Sequence, residues 1–371
     1  MKVITIVGTR PELIKLSRVM ARLDRCCKHV IVHTGQNFDY ELNGIFFEQL
    51  GIRSPDVFLG AVGNTLAETI GNVIARADEV FAREEPDAVL ILGDTNSALG
   101  VMGAKRRKIP IFHMEAGNRC FDQRVPEEIN RRVVDHLSDI NLPYTEHARR
   151  NLLAEGFPTD RVIKTGSPQK EVLTHYKPLI DASDIHERLG LRPGGYFVAS
   201  IHREENVDDE ARLKKTAACL NGLVAAHDMP LVLSVHPRTR DRLDRFGVEL
   251  DQRIVPSAPL GLPDYVALQT RACCTISDSG TITEESSILG FPAVTLREAH
   301  ERPEGMDCGV VIMSSLNTGS LLDAVLTTRA QHEAGVRPSL PADYDVDDVS
   351  WKVVKVILSY TDYVNRRVWF K

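Results

Sequence analysis

Short apolar runs alternate with longer amphipathic stretches along the first half of the chain. The runs are β-branched and bounded by Gly, Pro or Asp, which is typical of buried strands; they cover 3–7, 30–34, 88–93, 109–113 and 162–166. The stretches between them have helical periodicity, at 12–23, 40–50, 66–83 and 126–137. Repeated strand–helix–strand units of this length predict a parallel, doubly wound α/β sheet.

A second alternation of the same kind follows a polar, Pro-containing segment at 168–194, which we interpret as a linker. The predicted strands are 196–201, 231–235, 253–255, 275–277 and 293–296, and the predicted helices are 208–226, 263–269, 282–289 and 320–331. The last stretch, 349–370, is an amphipathic helix. The pattern therefore predicts two α/β domains with a boundary near residue 170.

Composition excludes some classes of partner. The chain has 371 residues, 43% of them hydrophobic, and a formal net charge of −6, so it lacks the basic surface that nucleic acid requires. No apolar run approaches the roughly 20 residues that span a bilayer, and the N-terminus is too soon interrupted to be a signal peptide. We therefore expect neither a nucleic-acid nor a membrane partner, although a few arginines can still hold a small phosphorylated ligand.

The cysteines point to a reducing compartment. Their number is odd and no CxxC spacing occurs among them; they are Cys26, Cys27, Cys120, Cys219, Cys273, Cys274 and Cys308. This usage is typical of thiols in the cytoplasm rather than of a disulfide framework or a zinc site, so we expect no metal. Cys120 has no base paired with it by any visible pattern, which disfavours a catalytic thiol.

Carboxylates cluster where predicted strands end and a helix begins. Glu115 follows the apolar run 109–112, Asp94 follows another predicted strand, and Glu127 follows Pro126 at the start of a helix. In α/β proteins such positions face the crevice where ligands bind, so the cluster predicts proton transfer on a bound substrate.

Each acid also has a simpler interpretation. Asp94 can cap the following helix, and Glu127 can be a first-turn acid stabilised by the helix dipole. Glu128 is interpreted in that simpler way, or as a partner of Arg131 or Arg132.

Cationic and small residues predict an anion site. Arg10 and Lys15 follow the first strand, in GTRPELIK. Ser279 and Gly280 precede a helix whose N–H groups can bind phosphate. Glu285, one turn further along that helix, can accept hydrogen bonds from a ribose. His202 and His236 end strands beside arginines. The alternatives are a surface arginine, an ordinary helix cap at Ser279 or Thr281, and structural histidines. No GxGxxG or P-loop occurs, which disfavours a dinucleotide or ATP.

These motifs together resemble those of a known family. GTRPELIK, LGDTNS, HMEAG, RVPEEINR, SIHREEN, SDSGTITEE and ERPEG occur in the order found in the non-hydrolysing UDP-N-acetylglucosamine 2-epimerases. The form HMEAGNRCFDQRVPEEINR, with DSGT in place of DSGG, is most similar to one branch. That branch converts UDP-2-acetamido-2,6-dideoxy-L-talose to UDP-N-acetyl-L-fucosamine.

The resemblance implies a fold and a set of residue roles. It implies two doubly wound domains facing across a cleft (GT-B-like), comprising 1–170 with helix 349–371 packing back on it, and 171–348 as the nucleotide-binding domain. It implies that Asp94, Glu115 and Glu127 are the catalytic acids, that His202 contacts the nucleotide phosphate, and that the substrate also meets Arg10, Lys15, His236, Ser279, Gly280, Glu285 and Arg302. It implies a UDP-sugar substrate, no cofactor, and a homodimer that feeds surface polysaccharide synthesis such as capsule or O-antigen.

The implied reaction is elimination of UDP to a 2-acetamidoglycal followed by its re-addition, which inverts C2. Four alternatives remain open: formation of UDP-N-acetylmannosamine from UDP-N-acetylglucosamine, glycosyl transfer on the same fold, hydrolysis of the sugar nucleotide, and an inactive sugar-nucleotide sensor. The segment TGQNFDYE at 34–41 departs from the TxQH pattern of family members that have a regulatory site, so we do not expect activation by substrate.

Overall fold

The computed structural model describes residues 1–35, 47, 49–235 and 237–371. They form two compact units: unit 1 comprises Met1–Thr174 and Ala342–Lys371, and unit 2 comprises His175–Pro341. The helix predicted over 40–50 falls mainly outside the described residues.

Unit 1 contains a six-stranded parallel sheet with the order β3-β2-β1-β4-β5-β6. Its strands are β1 (Lys2–Val7), β2 (Lys28–His33), β3 (Val57–Phe58), β4 (Ala88–Leu92), β5 (Ile111–Met114) and β6 (Ile140–Leu142). Its helices are α1 (Arg10–Cys26), α2 (Leu66–Glu84), α3 (Val101–Arg106), α4 (Pro126–Leu137) and α5 (Glu146–Ala154), with α6 (Gln169–Asp181) crossing into unit 2. Short 3₁₀ helices lie at Asn96–Gly100 and Thr159–Arg161.

Unit 2 contains a second six-stranded parallel sheet, with the order β12-β11-β10-β7-β8-β9. Its strands are β7 (Phe197–Ser200), β8 (Leu231–Ser234), β9 (Ile254–Ser257), β10 (Cys274–Ser277), β11 (Ala293–Leu296) and β12 (Ile312–Ser314). Its helices are α7 (Ile185–Arg188), α8 (Glu204–Val207), α9 (Glu210–His227), α10 (Pro237–Arg245), α11 (Leu262–Arg271), α12 (Thr281–Leu289), α13 (Pro303–Asp307) and α14 (Thr318–Glu333). The prediction of doubly wound parallel sheets is confirmed.

The first sheet is covered on both faces. Successive strand residues point to opposite sides, so Phe112 joins one apolar cluster and its neighbour Ile111 joins another. The Phe112 cluster includes α1 and the C-terminal helix α15 (Val349–Arg367). Burial on both faces explains why the strands read as continuous apolar runs.

Two predicted elements are wrong. The strand at 162–166 is reduced to a single bridge between Asn141 and Val162, because Pro143 in the neighbouring strand has no N–H to extend the ladder and Gly166 turns the chain at φ +85°. The linker at 168–194 is instead largely helical, in α6 and α7. Helical spacing of apolar residues outweighs Pro178 there; Val172, Leu173, Tyr176 and Ile180 are all buried.

None of the helices in the described part of the chain combines the length and apolar composition needed to cross a bilayer.

The packing of α15 predicts that substitutions at two neighbouring residues will change stability by very different amounts. Ile357 is fully buried in the cluster with α1, whereas Leu358 is 43% exposed. We expect Ile357→Ala to lower stability by about 2–5 kcal/mol because it leaves a cavity. Leu358→Ala should change stability by less than about 0.5 kcal/mol. Thermal unfolding of both variants measures this, and equal shifts would contradict the packing described here.

Candidate active site

The strand order brings the candidate residues to one place in each sheet. In unit 1 the connections leave neighbouring strands β1 and β4 toward opposite sides of the sheet, and in unit 2 they do so at β7 and β10. Such a switch point opens a crevice at the carboxyl ends of the strands, where α/β proteins bind ligands. The segments that carry Arg10 and Asp94 follow the first pair, and those that carry His202 and Ser279 follow the second.

Glu115 is held directly beyond β5 by a buried lysine. Its Oε2 lies 2.8 Å from Lys15 Nζ, and its Oε1 accepts a hydrogen bond from Asn118 Nδ2 at 3.3 Å. Its backbone is left-handed, with φ +66°. This conformation is energetically unfavourable for any residue that has a side chain. Backbone strain of this kind is found at functional positions, which supports a role for Glu115 beyond folding.

Asp94 is held by an arginine that the sequence analysis did not assign to the site. Arg131 of α4 is buried, and its Nη2 and Nε lie 2.7 and 2.9 Å from Asp94 Oδ2. The cap of the following 3₁₀ helix is Thr95, whose hydroxyl accepts a hydrogen bond from Ser97 N. The capping interpretation of Asp94 is therefore not needed. The position of Arg131 one turn after Glu127 was the signal that could have identified it.

The two neighbouring acids of α4 differ in their surroundings. Glu128 is buried and pairs with both Arg131 and Arg132, as the simpler interpretation of that residue predicted, and it also accepts from Cys120 N at 3.0 Å. Glu127 lies on the first turn of α4 and is partly exposed. Burial raises the pKa of the Cys120 thiol, which agrees with excluding a catalytic thiolate.

The turn after β1 is fixed by a buried carboxylate. Glu12 Oε2 accepts hydrogen bonds from Gly8 N at 2.6 Å and Thr9 N at 2.8 Å, which forms the capping box of α1. A Cβ at Gly8 would lie 2.0 Å from Ser97 Oγ, so only glycine fits there. Arg10, the first residue of α1, is partly exposed at this turn. Burial raises the pKa of Glu12 to about 7.

In unit 2 the loop that carries His202 is organised by Asp278, a residue to which sequence reasoning gave no role. Asp278 is fully buried beyond β10 and accepts hydrogen bonds from His202 N, Arg203 N and Asn206 Nδ2 at 3.0–3.1 Å. The His202 side chain is 47% exposed, with Nδ1 3.3 Å from Asp278 Oδ1. The imidazole is thus oriented by a buried carboxylate, and about half of the side chain is exposed.

The helix after Asp278 begins at Thr281, as predicted, and the glycine before it lies against another carboxylate. Ser279 Oγ lies 3.0 Å from Thr281 Oγ1, and Glu285 is buried with Gln269 Nε2 2.9 Å from its Oε2. A Cβ at Gly280 would lie 2.3 Å from Glu301 Oε1. A side chain at position 280 would therefore displace the Glu301 carboxylate.

Glu301 belongs to a cluster of charged residues near α13. It pairs with Arg203 at 3.1 Å and with Arg297 at 2.9 Å, and the adjacent Arg302 is buried with Nη2 3.4 Å from Glu284 Oε2. Arg302 therefore lies in unit 2 near the start of α12, which carries Glu284. His236, another predicted anion-binding residue, lies outside the described residues.

Comparison with known proteins assigns the family. The model of the family described as UDP-N-acetylglucosamine 2-epimerase matches residues 21–358. The chain belongs to this epimerase family. A UDP-2,3-diacetamido-2,3-dideoxy-D-glucuronate 2-epimerase of Pseudomonas aeruginosa is 35% identical over 334 residues, which are 88% of this chain and 92% of that protein. A UDP-N-acetylglucosamine 2-epimerase of Methanocaldococcus jannaschii is 34% identical over 334 residues, with 88% and 91% covered.

Solved structures extend the likeness of this epimerase to its full length. A UDP-N-acetylglucosamine 2-epimerase structure from Rickettsia bellii is 51% identical with a TM-score of 0.93, and each chain is fully covered. The Methanocaldococcus jannaschii enzyme in complex with UDP-GlcNAc and UDP is 31% identical with a TM-score of 0.91, over 97% of this chain and 100% of that one. The glycosyltransferase SnogD of Streptomyces nogalater, at 12% identity and a TM-score of 0.52, over 96% of this chain and 99% of that one, shares the fold alone.

The raised pKa of Glu12 predicts a pH-dependent stability. Its ordinary value is 4.5 and its folded value is about 7, so between these values the folded state holds a proton that the unfolded state has lost. The contribution of Glu12 to stability therefore falls as the pH rises from about 5 to about 7. Glu12→Gln removes this titration while it preserves the shape of the side chain.

We expect the unfolding free energy of the native protein minus that of Glu12→Gln to fall by an amount on the order of 3 kcal/mol over this window. Chemical denaturation of both proteins at a series of pH values measures it. A difference that stays constant, or rises with pH, would contradict the burial of a titrating carboxyl group.

Proposed function

We propose that this protein is a UDP-N-acetyl-sugar 2-epimerase that eliminates UDP and adds it back with inversion at C2. The observation that carries this proposal is the pair of strand-end carboxylates in unit 1. Asp94 and Glu115 follow adjacent strands, and each contacts a buried cation, Arg131 and Lys15 respectively. Acids fixed in this way can act on a substrate without first reorganising.

Elimination is proposed because the C2 hydrogen of a sugar nucleotide is a poor acid, since no carbonyl is adjacent to it. A base removes the C2 proton, the C2–H electron pair forms the C1=C2 double bond, and the C1–O bond breaks to release UDP. A UDP oxygen then attacks C1 of the glycal, and a proton is delivered to the opposite face of C2. Inversion thus requires two carboxyl groups, one for each face.

In this proposal Glu115 and Glu127 are the proton-transfer pair, and Asp94 orients the substrate or assists. The contact of Glu115 with Lys15 supports a fixed direction for its carboxylate. Glu128 has no such role because both of its oxygens are occupied by arginines.

The nucleotide is proposed to bind through unit 2, where the exposed edge of His202 and the start of α12 can receive phosphate. Further nucleotide or substrate contacts are proposed for Arg10, Lys15, His236, Ser279, Gly280, Glu285 and Arg302. Stabilisation of departing UDP by such groups lowers the barrier to breaking the C1–O bond.

The proposed substrate is UDP-2-acetamido-2,6-dideoxy-L-talose, which gives UDP-N-acetyl-L-fucosamine. The support is the form of the motif at 113–131 and DSGT at 278–281. UDP-N-acetylglucosamine is the second candidate, and it is favoured by the names of the Rickettsia bellii and Methanocaldococcus jannaschii proteins. The name of the Pseudomonas aeruginosa relative indicates that substrates differ between members of this family.

Three further properties stay predictions: the homodimer, the cytoplasmic location and the use of the product in surface polysaccharide.

The substrate is tested by incubation in D2O without added cofactor, read by proton NMR. The two candidate UDP-sugars are supplied separately. We expect the L-talose derivative to be converted with deuterium entering at C2, because the returning proton comes from a carboxyl group that exchanges with solvent. Conversion of UDP-N-acetylglucosamine alone would make that sugar the substrate. Free UDP accumulating would indicate hydrolysis, and no change with either sugar would refute the epimerase proposal.

The proton-transfer pair is tested by Glu115→Gln and Glu127→Gln. Each substitution removes a general acid or base while it keeps the size of the side chain, so kcat should fall by about 10²–10⁴-fold. UDP affinity, measured by calorimetry, should be retained. The matched control is Asp78→Asn, which removes a surface carboxylate of unit 1 that pairs with Arg107. Full turnover by either glutamine variant would refute the assignment.

A further inference from the structure

A buried ion-pair network in unit 1 connects the segments that carry Asp94 and Glu115. Asp135 of α4 lies at its centre, with Arg119 Nη1 at 2.8 Å from Oδ2 and His113 Nδ1 at 3.0 Å from Oδ1. All three side chains are excluded from solvent. None of the three was singled out by the sequence motifs, since His113 and Arg119 only flank Glu115.

One branch of the network reaches the backbone before Asp94. His113 Nε2 lies 2.9 Å from Gly93 O, and because a carbonyl only accepts, this nitrogen is the donor. Gly93 has φ +71°, so the chain turns sharply there between β4 and Asp94. His113 Nδ1 lies close to the Asp135 carboxylate without hydrogen-bond geometry, so this branch combines one hydrogen bond with one close polar contact.

The other branch reaches the backbone after Glu115. Gly117 N donates to both oxygens of Asp135 at 3.2 Å, and Arg119 Nη1 donates to Asn118 O at 2.7 Å. The Asn118 side chain in turn donates to Glu115 Oε1. Glu115 and Gly117 are both left-handed, and such a turn persists only where surrounding contacts determine it.

The helix that carries Asp135 also carries Arg131, which contacts Asp94, and Glu127. Residues 127, 131 and 135 are spaced by four and therefore lie along one side of α4. A single buried carboxylate thus fixes the helix against the two strand-end turns at once.

We propose that Asp135, through His113 and Arg119, is a positioning residue that sets the relative placement of Asp94 and Glu115. The inference rests on the proposed function, in which Glu115 transfers a proton and Asp94 orients the substrate or assists. A buried ion pair such as Asp135 with Arg119 is a costly way to stabilise a core, because apolar residues of similar size would do so at least as well. The network ends on backbone groups beside the two acids, so its hydrogen bonds fix the conformation of the two turns that carry them.

The same unit contains a matched structural counterpart. Asp139 is also buried, with Lys105 Nζ 2.6 Å from Oδ1 and Ile111 N donating to Oδ2 at 3.0 Å. Its partners contact neither Asp94 nor Glu115. Loss of a buried carboxylate should therefore destabilise the fold in both cases, but only at position 135 should it disturb turnover.

The experiment compares Asp135→Asn with Asp139→Asn. Both should lower the melting temperature. We expect Asp135→Asn to reduce kcat by about 100-fold, because a displacement of about 1 Å of a reacting group has an effect of this size. KM and the Kd for UDP should change by less than about threefold, as expected for a loss confined to the chemical step. Asp139→Asn should retain the native kcat.

Two milder variants keep the test decisive if Asp135→Asn fails to fold. His113→Gln retains an amide donor for Gly93 O, and His113→Asn retains one for Asp135, so each breaks one link only. Both should lower kcat with little change in KM. Where Asp135→Asn folds, adding His113→Asn to it should cause little further loss, since the residues act as one unit.

The inference is overturned if folded Asp135→Asn, or both histidine variants, retain the native kcat, or if Asp139→Asn loses as much activity. A native enzyme that introduces no deuterium at C2 of either UDP-sugar would instead refute the proposed function, whatever the variants do.

Discussion

Parallel strands with the same order in both units direct their carboxyl ends, and the loops that follow them, to a single edge of each sheet. Every candidate residue in the described part of the chain depends on this constraint. The segments that carry Arg10 and Asp94 follow neighbouring strands, β1 and β4, although 84 positions separate the two residues in the sequence. His202 and Asp278 meet for the same reason at β7 and β10. Most strand side chains are buried and apolar, and the acids Asp94 and Glu115 lie beyond the strand ends rather than within the sheet.

Several of the charged groups near that edge are held in pairs. Lys15 with Glu115, Arg131 with Asp94 and Arg297 with Glu301 are each close enough for direct contact. An isolated charge at such depth would carry a large desolvation cost, and a partner offsets part of it. The pairs also limit rotamer freedom, so these carboxylates are held in a defined direction.

The chain's periodicity was sufficient to predict the fold class and most elements, since long apolar runs and amphipathic helices report burial directly. The periodicity could not predict the strand order, because the order depends on pairing between segments that are distant in the sequence. Short elements such as β3, β6 and β12 were missed because two or three residues carry no period. The partners of the acids were also missed in part. Arg131 was considered only as a partner of Glu128, and nothing in the sequence indicated that Asp278 would organise the turn at His202.

The left-handed backbone of Glu115 and its ion pair with Lys15 make opposite demands on the residue type at this position. Glycine would adopt φ +66° without strain and would stabilise the turn locally, yet it would remove the carboxylate. Lys15, buried beside it, would lose this partner, and breaking a buried ion pair costs more than the strain that glycine relieves. Replacement of Glu115 should consequently require a compensating change at Lys15, a residue 100 positions away in the sequence, while the sheet around both remains intact.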